Sequence, residues 1–174
     1  MKLINYLIIF SILVINAAFS KEKPPFKNIL VLDEPKVYKE IIFQDKDGAQ
    51  IDLKSINTDE IYILNFWATW CAPCKDEMPS LDKIQANPEL DKIKIFPINI
   101  GKETLEKVNK FFIDLNIKNF EPYFDPPTTL AKMFTLRGVP TTILINKEGQ
   151  EFARIIGSID FEDKNFVNWI KKYN

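Results

Sequence analysis

Seven consecutive residues, Ile61-Tyr62-Ile63-Leu64-Asn65-Phe66-Trp67, are apolar or aromatic at every place but one, and the first cysteine follows four residues later. A run of this length, rich in β-branched and aromatic side chains, reads as a strand buried in the middle of a sheet. The flanking segments fit around it. Ile41, Ile42 and Phe43, the Asp47-Gly48 pair, then Ile51 and Leu53 describe an N-terminal β-hairpin extension. Met78, Leu81 and Ile84 recur at helical spacing after Cys74; Ile93, Ile95 and Ile98 mark a second strand; Leu105, Val108, Phe112 and Leu115 mark another helix. A short helix over 129–134, strands over 141–145 and 151–156 joined by Lys147-Glu148-Gly149, and a last helix over 161–173 complete the pattern. The order predicts an α/β fold, a mixed central sheet flanked by helices, over residues 41–174. Residues 21–40, with Pro24, Pro25 and Pro35 among charges, read as a lead-in that adds an edge strand.

A chain of 174 residues suits one domain with a core of its own. Its 23 Lys and Arg balance 24 Asp and Glu, which argues against nucleic acid as a partner. The chain has no His, so it cannot by itself build a Ser-His-Asp triad, a Cys-His dyad or a His-ligated zinc or haem site. Chemistry falls to the cysteines and carboxylates. Residues 1–20 stand apart: Lys2 precedes a mainly apolar run that ends in Ala17, Ala18, Phe19 and Ser20, the form of a secretory signal peptide. Ala18 and Ser20 would place the cut before Lys21. The competing reading is an uncleaved anchor, although residues 3–19 are at the short limit for a span and include Asn5 and Asn16. Either way the globular part is expected outside the cytoplasm, in a bacterial periplasm.

Cys71 and Cys74 are the only cysteines, and they form Cys-Ala-Pro-Cys where the buried strand gives way to a helix. A bridge across two residues closes too small a loop to stabilise a fold much, because the entropic gain grows with the logarithm of loop length. The spacing suits redox chemistry instead. A Cys at a helix N-terminus faces unpaired N–H groups and the positive end of the helix dipole, which lower a thiol pKa from about 8.5. Cys71 is then the attacking sulfur, and Cys74, one turn inside, resolves the mixed disulfide.

The segment Phe66-Trp67-Ala68-Thr69-Trp70-Cys71-Ala72-Pro73-Cys74-Lys75-Asp76-Glu77-Met78-Pro79 resembles the active-site stretch of thioredoxin-fold proteins, most of all the extracytoplasmic TlpA/ResA branch. Gly138-Val139-Pro140-Thr141, before a strand, matches the family's cis-proline loop, and Pro79 matches the proline of its active-site helix. From position alone, Pro140 also fits an ordinary trans proline at the start of a strand. The resemblance implies a cis Pro140 beside the cysteine pair that keeps metal off the thiols, and a Val139 backbone free to pair with an extended client segment. It further implies a client-facing surface of Trp70, Pro73, Val139 and Pro140, and no cofactor. Trp67 is expected in the core and Trp70 as a lid beside Cys71.

Many cytoplasmic thioredoxins carry a buried Asp six residues before the first Cys, where this chain has Asn65. The TlpA/ResA branch shares the Asn and has a Glu three residues after the second Cys, which is Glu77 here. One helical turn separates Glu77 from Cys74, so the two share a face. Position alone also fits a solvated helix glutamate; the resemblance implies a partly buried acid with a raised pKa that takes the proton of Cys74. It also implies a reductase of specific protein disulfides, on apocytochrome c or copper-site proteins, fed by a membrane thiol-transfer donor. The space between Cys74 and Pro140 is too short for the helical insertion usual in the dedicated oxidases of this fold. Two rivals remain in view: an oxidase or isomerase of the same fold, and a Cu(I) carrier using both thiolates. A peroxiredoxin would need Pro-x-x-x-Thr-x-x-Cys, which the chain lacks.

Overall fold

The computed structural model describes residues 23–56 and 59–173; the leader expected over residues 1–20 lies outside them. In chain order the strands are β1 (Ile29–Val37), β2 (Ile42–Gln44), β3 (Gln50–Asp52), β4 (Ile61–Trp67), β5 (Ile93–Asn99), β6 (Tyr123–Phe124), β7 (Thr141–Ile145) and β8 (Gln150–Ile156). The helices are α1 (Ala72–Gln85), α2 (Leu105–Asp114), α3 (Thr129–Met133) and α4 (Lys164–Ile170). All eight strands join one mixed sheet in the order β1-β8-β7-β4-β5-β6-β2-β3. Among the described residues, no helix is long and apolar enough to cross a membrane.

β4 is buried at all seven positions, as its composition requires of a strand covered on both faces. Its alternation divides the core. Ile61, Ile63 and Trp67 pack with Met78 and Leu81 of α1, Phe111 and Phe112 of α2, and Phe166 and Trp169 of α4. Tyr62, Leu64 and Phe66 join Phe43, Phe96, Ile143, Leu130 and Phe134 on the other face. Asn65 belongs by the same alternation to the α1 face. Parallel pairing of β4 with β5, through α1, and antiparallel pairing with β7 fix where the loops meet. Phe66 stands opposite Thr141, so the residue before β7 lies beside the C-terminal end of β4.

The lead-in does supply an edge strand: β1 runs antiparallel to β8 from Ile29↔Ile155 to Val37↔Gln150, with an irregularity between Val31 and Lys36. Just beyond it, the Tyr38 hydroxyl donates to Glu151 at 2.5 Å, and Arg154 donates to the same carboxylate through Nε at 2.6 Å and Nη2 at 2.9 Å. The hairpin forms as expected, β2 on β3 around the Asp47-Gly48 turn, where Gly48 takes φ +84°. The last helix is shorter than its pattern suggested. The Asp163 side chain accepts the Asn165 N–H at 2.8 Å and so starts the helix at Lys164, while Phe161 fills the core from the preceding turn.

Candidate active site

The chain leaves β4 at Trp67, turns through 68–70 and enters α1 with Cys71 as N-cap. The Cys71 Sγ accepts the Cys74 N–H at 3.2 Å, one of the amides that a helix start leaves unpaired. Pro73 sits in the first turn, where its missing N–H costs nothing, and no acidic residue lies in that turn to oppose a thiolate. The two sulfurs are joined in a disulfide of 2.04 Å, so this is the oxidised form. Cys74 is fully buried and Cys71 keeps 4% of its surface, so Cys71 is the less enclosed of the two. Pro79, inside α1, has no N–H to give Lys75 C=O and interrupts the helical ladder one turn beyond the cysteines.

Val139–Pro140 is a cis peptide, and Pro140 is buried beside the end of β4. Its carbonyl accepts the Gly157 N–H at 3.0 Å, and the Thr141 hydroxyl donates to Gly138 C=O at 2.8 Å, which holds the loop from both sides. Val139 is half-buried and Pro73 exposed. Trp67 is wholly buried against Phe111 and Phe112, whereas Trp70 is 67% exposed directly before Cys71.

Glu77 is 1% exposed. Its Oε1 accepts the Asn65 amide at 2.8 Å, and the same amide donates to the Thr142 hydroxyl at 2.9 Å. Oε2 has no partner that meets hydrogen-bond geometry; the Ile159 N–H bears on the carboxyl without closing such a bond. Burial pushes the carboxyl up, the Asn65 and Ile159 N–H groups pull it down, and burial wins, leaving a pKa of about 8. A carboxyl so placed holds or takes a proton near neutral pH, one turn along α1 from Cys74.

Sequence reasoning missed a second acid. Glu103, just before α2, accepts the Thr69 N–H at 2.8 Å, the Thr69 hydroxyl, the Asn99 amide at 2.9 Å and the Lys107 ammonium at 2.6 Å. Burial pushes this carboxyl up, but those donors outweigh it and bring its pKa down to about 2. No motif announces such a residue, because Thr69 is 34 positions away in the chain.

Residues 36–150 match the model of the AhpC/TSA family. The chain is 30% identical over 116 residues to the thiol-disulfide oxidoreductase ResA of a Bacillus cereus strain, covering 67% of this chain and 65% of that protein. To ResA of Bacillus subtilis (strain 168) it is 28% identical over 131 residues, covering 75% and 72%. The chain thus spans about two thirds of these relatives. Among solved structures, a DsbF homologue from Corynebacterium diphtheriae superposes with a TM-score of 0.66 at 25% identity, covering 87% of this chain and 96% of that one. A disulfide at the start of α1 and a cis-proline loop before β7, on a sheet that superposes this closely, agree with the family match: the chain belongs to the AhpC/TSA family and has the thioredoxin fold.

Proposed function

We propose that this protein is a periplasmic thiol-disulfide oxidoreductase that reduces disulfides of specific protein clients through Cys71 and Cys74. The observation that carries the reading is a disulfide pair whose first cysteine caps α1 and whose second, Cys74, lies one helical turn before a buried, under-bonded carboxyl. Starting from the reduced protein, the Cys71 thiolate attacks one client sulfur; the Cys71–client bond forms as the client disulfide breaks, and the second client sulfur leaves as a thiolate. Glu77 in its ionised form then takes the proton of Cys74, and the Cys74 thiolate attacks Cys71 Sγ and expels the remaining client sulfur. Two electrons pass to the client. Glu77 is left protonated, and Cys71 and Cys74 are left joined in the disulfide that the structure holds.

Each turnover leaves the pair oxidised, so a dithiol donor is needed to reset it, and a sulfur at a helix N-terminus is a good leaving group in that return reaction. A membrane thiol-transfer protein fits that need, and the leader-like residues 1–20 support a location where such a donor works. Trp70, Pro73, Val139 and Pro140 form the client-facing surface in this reading, with apocytochrome c or copper-site proteins as the client classes. Equilibration of residues 21–174 with glutathione or dithiothreitol buffers at neutral pH tests the direction of flow. A potential of about −250 mV or lower fits a reductase; one near about −120 mV marks a disulfide-forming oxidant and overturns it.

A further inference from the structure

Glu103 is built into the fold with more care than a surface ion pair requires. Its side chain is 4% exposed and accepts four hydrogen bonds, two of them from Thr69, the residue two places before Cys71. The backbone around it makes room: a Cβ at Gly101 would lie 2.7 Å from Glu103 Oε2, and the Gly101 N–H is turned away onto Asn99 Oδ1 at 2.9 Å. A carboxylate pinned by four donors cannot swing aside as a free side chain would. The turn it grips is also tied by the Cys71 N–H on Ala68 C=O at 3.1 Å and, at its start, by the Ile100 N–H on Trp67 C=O at 3.0 Å.

We propose that Glu103 is a positioning residue for the redox centre, holding Thr69 so that Trp70 faces the client and Cys71 sits on the helix N-terminus. The inference rests on the reading that Cys71 is the attacking sulfur. Glu103 touches neither sulfur nor client; it acts through the 68–70 turn. Glu103→Gln puts an N–H donor against donors, Thr69→Val removes the hydroxyl, and Gly101→Ala displaces the carboxylate without changing any polar group. Thr69→Ser keeps both donors.

The test is steady-state reduction of a peptide carrying one disulfide, with excess dithiothreitol as donor, well below each variant's Tm. Glu103→Gln, Thr69→Val and Gly101→Ala each raise KM five- to tenfold with kcat within twofold of the parent, Thr69→Ser retains the parent KM, and Thr69→Val combined with Glu103→Gln is no worse than Glu103→Gln alone. KM unchanged, kcat falling with it, or additive losses would show that Glu103 merely supports the fold. If Glu103→Gln fails to fold, the Thr69 pair and Gly101→Ala carry the same comparison. Absence of turnover by the parent would count against the oxidoreductase reading itself. The inference is then read from Cys71 alkylation by iodoacetamide at pH 7, which the three disruptive variants slow several-fold and Thr69→Ser does not; equal rates overturn it.

Discussion

Glu77 accepts one side-chain hydrogen bond, whereas Asp82, Glu103 and Glu151 each collect three or more. Donors favour the charged form and burial the neutral one, so Glu103 stays ionised and Glu77 is poised to titrate. The sign for stability follows. The folded protein holds the Glu77 proton up to about pH 8 while the unfolded chain releases it near 4.5, so this contribution is full below pH 4.5 and is lost as pH rises to about 8. Urea unfolding of the oxidised protein at pH 5 and pH 8 should therefore show a fall, of no more than about 4 kcal/mol, that is much smaller in Glu77→Gln. Equal falls in both proteins would place the proton elsewhere. In catalysis the same variant should slow release of the mixed disulfide by about a hundredfold and abolish the rise in rate with pH towards 8, as stopped-flow mixing would show. Glu77 is readable through the family resemblance alone, since its place one turn after Cys74 also fits a solvated glutamate and its hydrogen-bond partner, Asn65, is 12 positions away. Glu103 and Asp82 are not, since the Thr69 that ties Glu103 to the redox turn is 34 positions away and the donors to Asp82 are 36 and 37.

Strand β1 illustrates what an apolar pattern leaves out. Asp33, Glu34, Pro35 and Lys36 break its alternation, and a proline normally demotes a strand. An edge position tolerates all four, and the tie is made outside the ladder, by Tyr38 and Arg154 closing on the buried Glu151. Burial and the Glu151 hydrogen bond raise the Tyr38 pKa well above the usual phenol value, so the hydroxyl stays a donor through the working pH range. Tyr38→Phe should cost about 1–3 kcal/mol in urea unfolding, because it takes a donor from a buried carboxylate. No measurable loss would mean Arg154 suffices. The strands β4, β5, β7 and β8 were readable because burial dictates their composition. The two-residue β6 carries too little sequence to signal itself, and the start of α4 depends on the cap at Asp163.

Fold and redox state are linked across the molecule, because the disulfide and the folded chain stabilise one another to the same extent. A reductant's oxidised form must be the more stable one, so adding dithiothreitol should lower Tm by roughly 5 °C if about 2 kcal/mol separates the two forms. A higher Tm in the reduced state would point to an oxidant. That the sheet is mixed followed from the order of the apolar runs, and the cis Pro140 loop from the resemblance; the contact of Glu103 with Thr69 did not, since it depends on how distant loops meet. The two outer strands settle one more matter. β3 is three residues long and ends in Asp52, and β1 is irregular between Val31 and Lys36 and interrupted by Pro35 and three charges. Neither offers a passing extended chain a long run of free main-chain partners. On the proposed reading, such a protein can meet unfolded clients at its cysteine pair without its sheet edges seeding their aggregation.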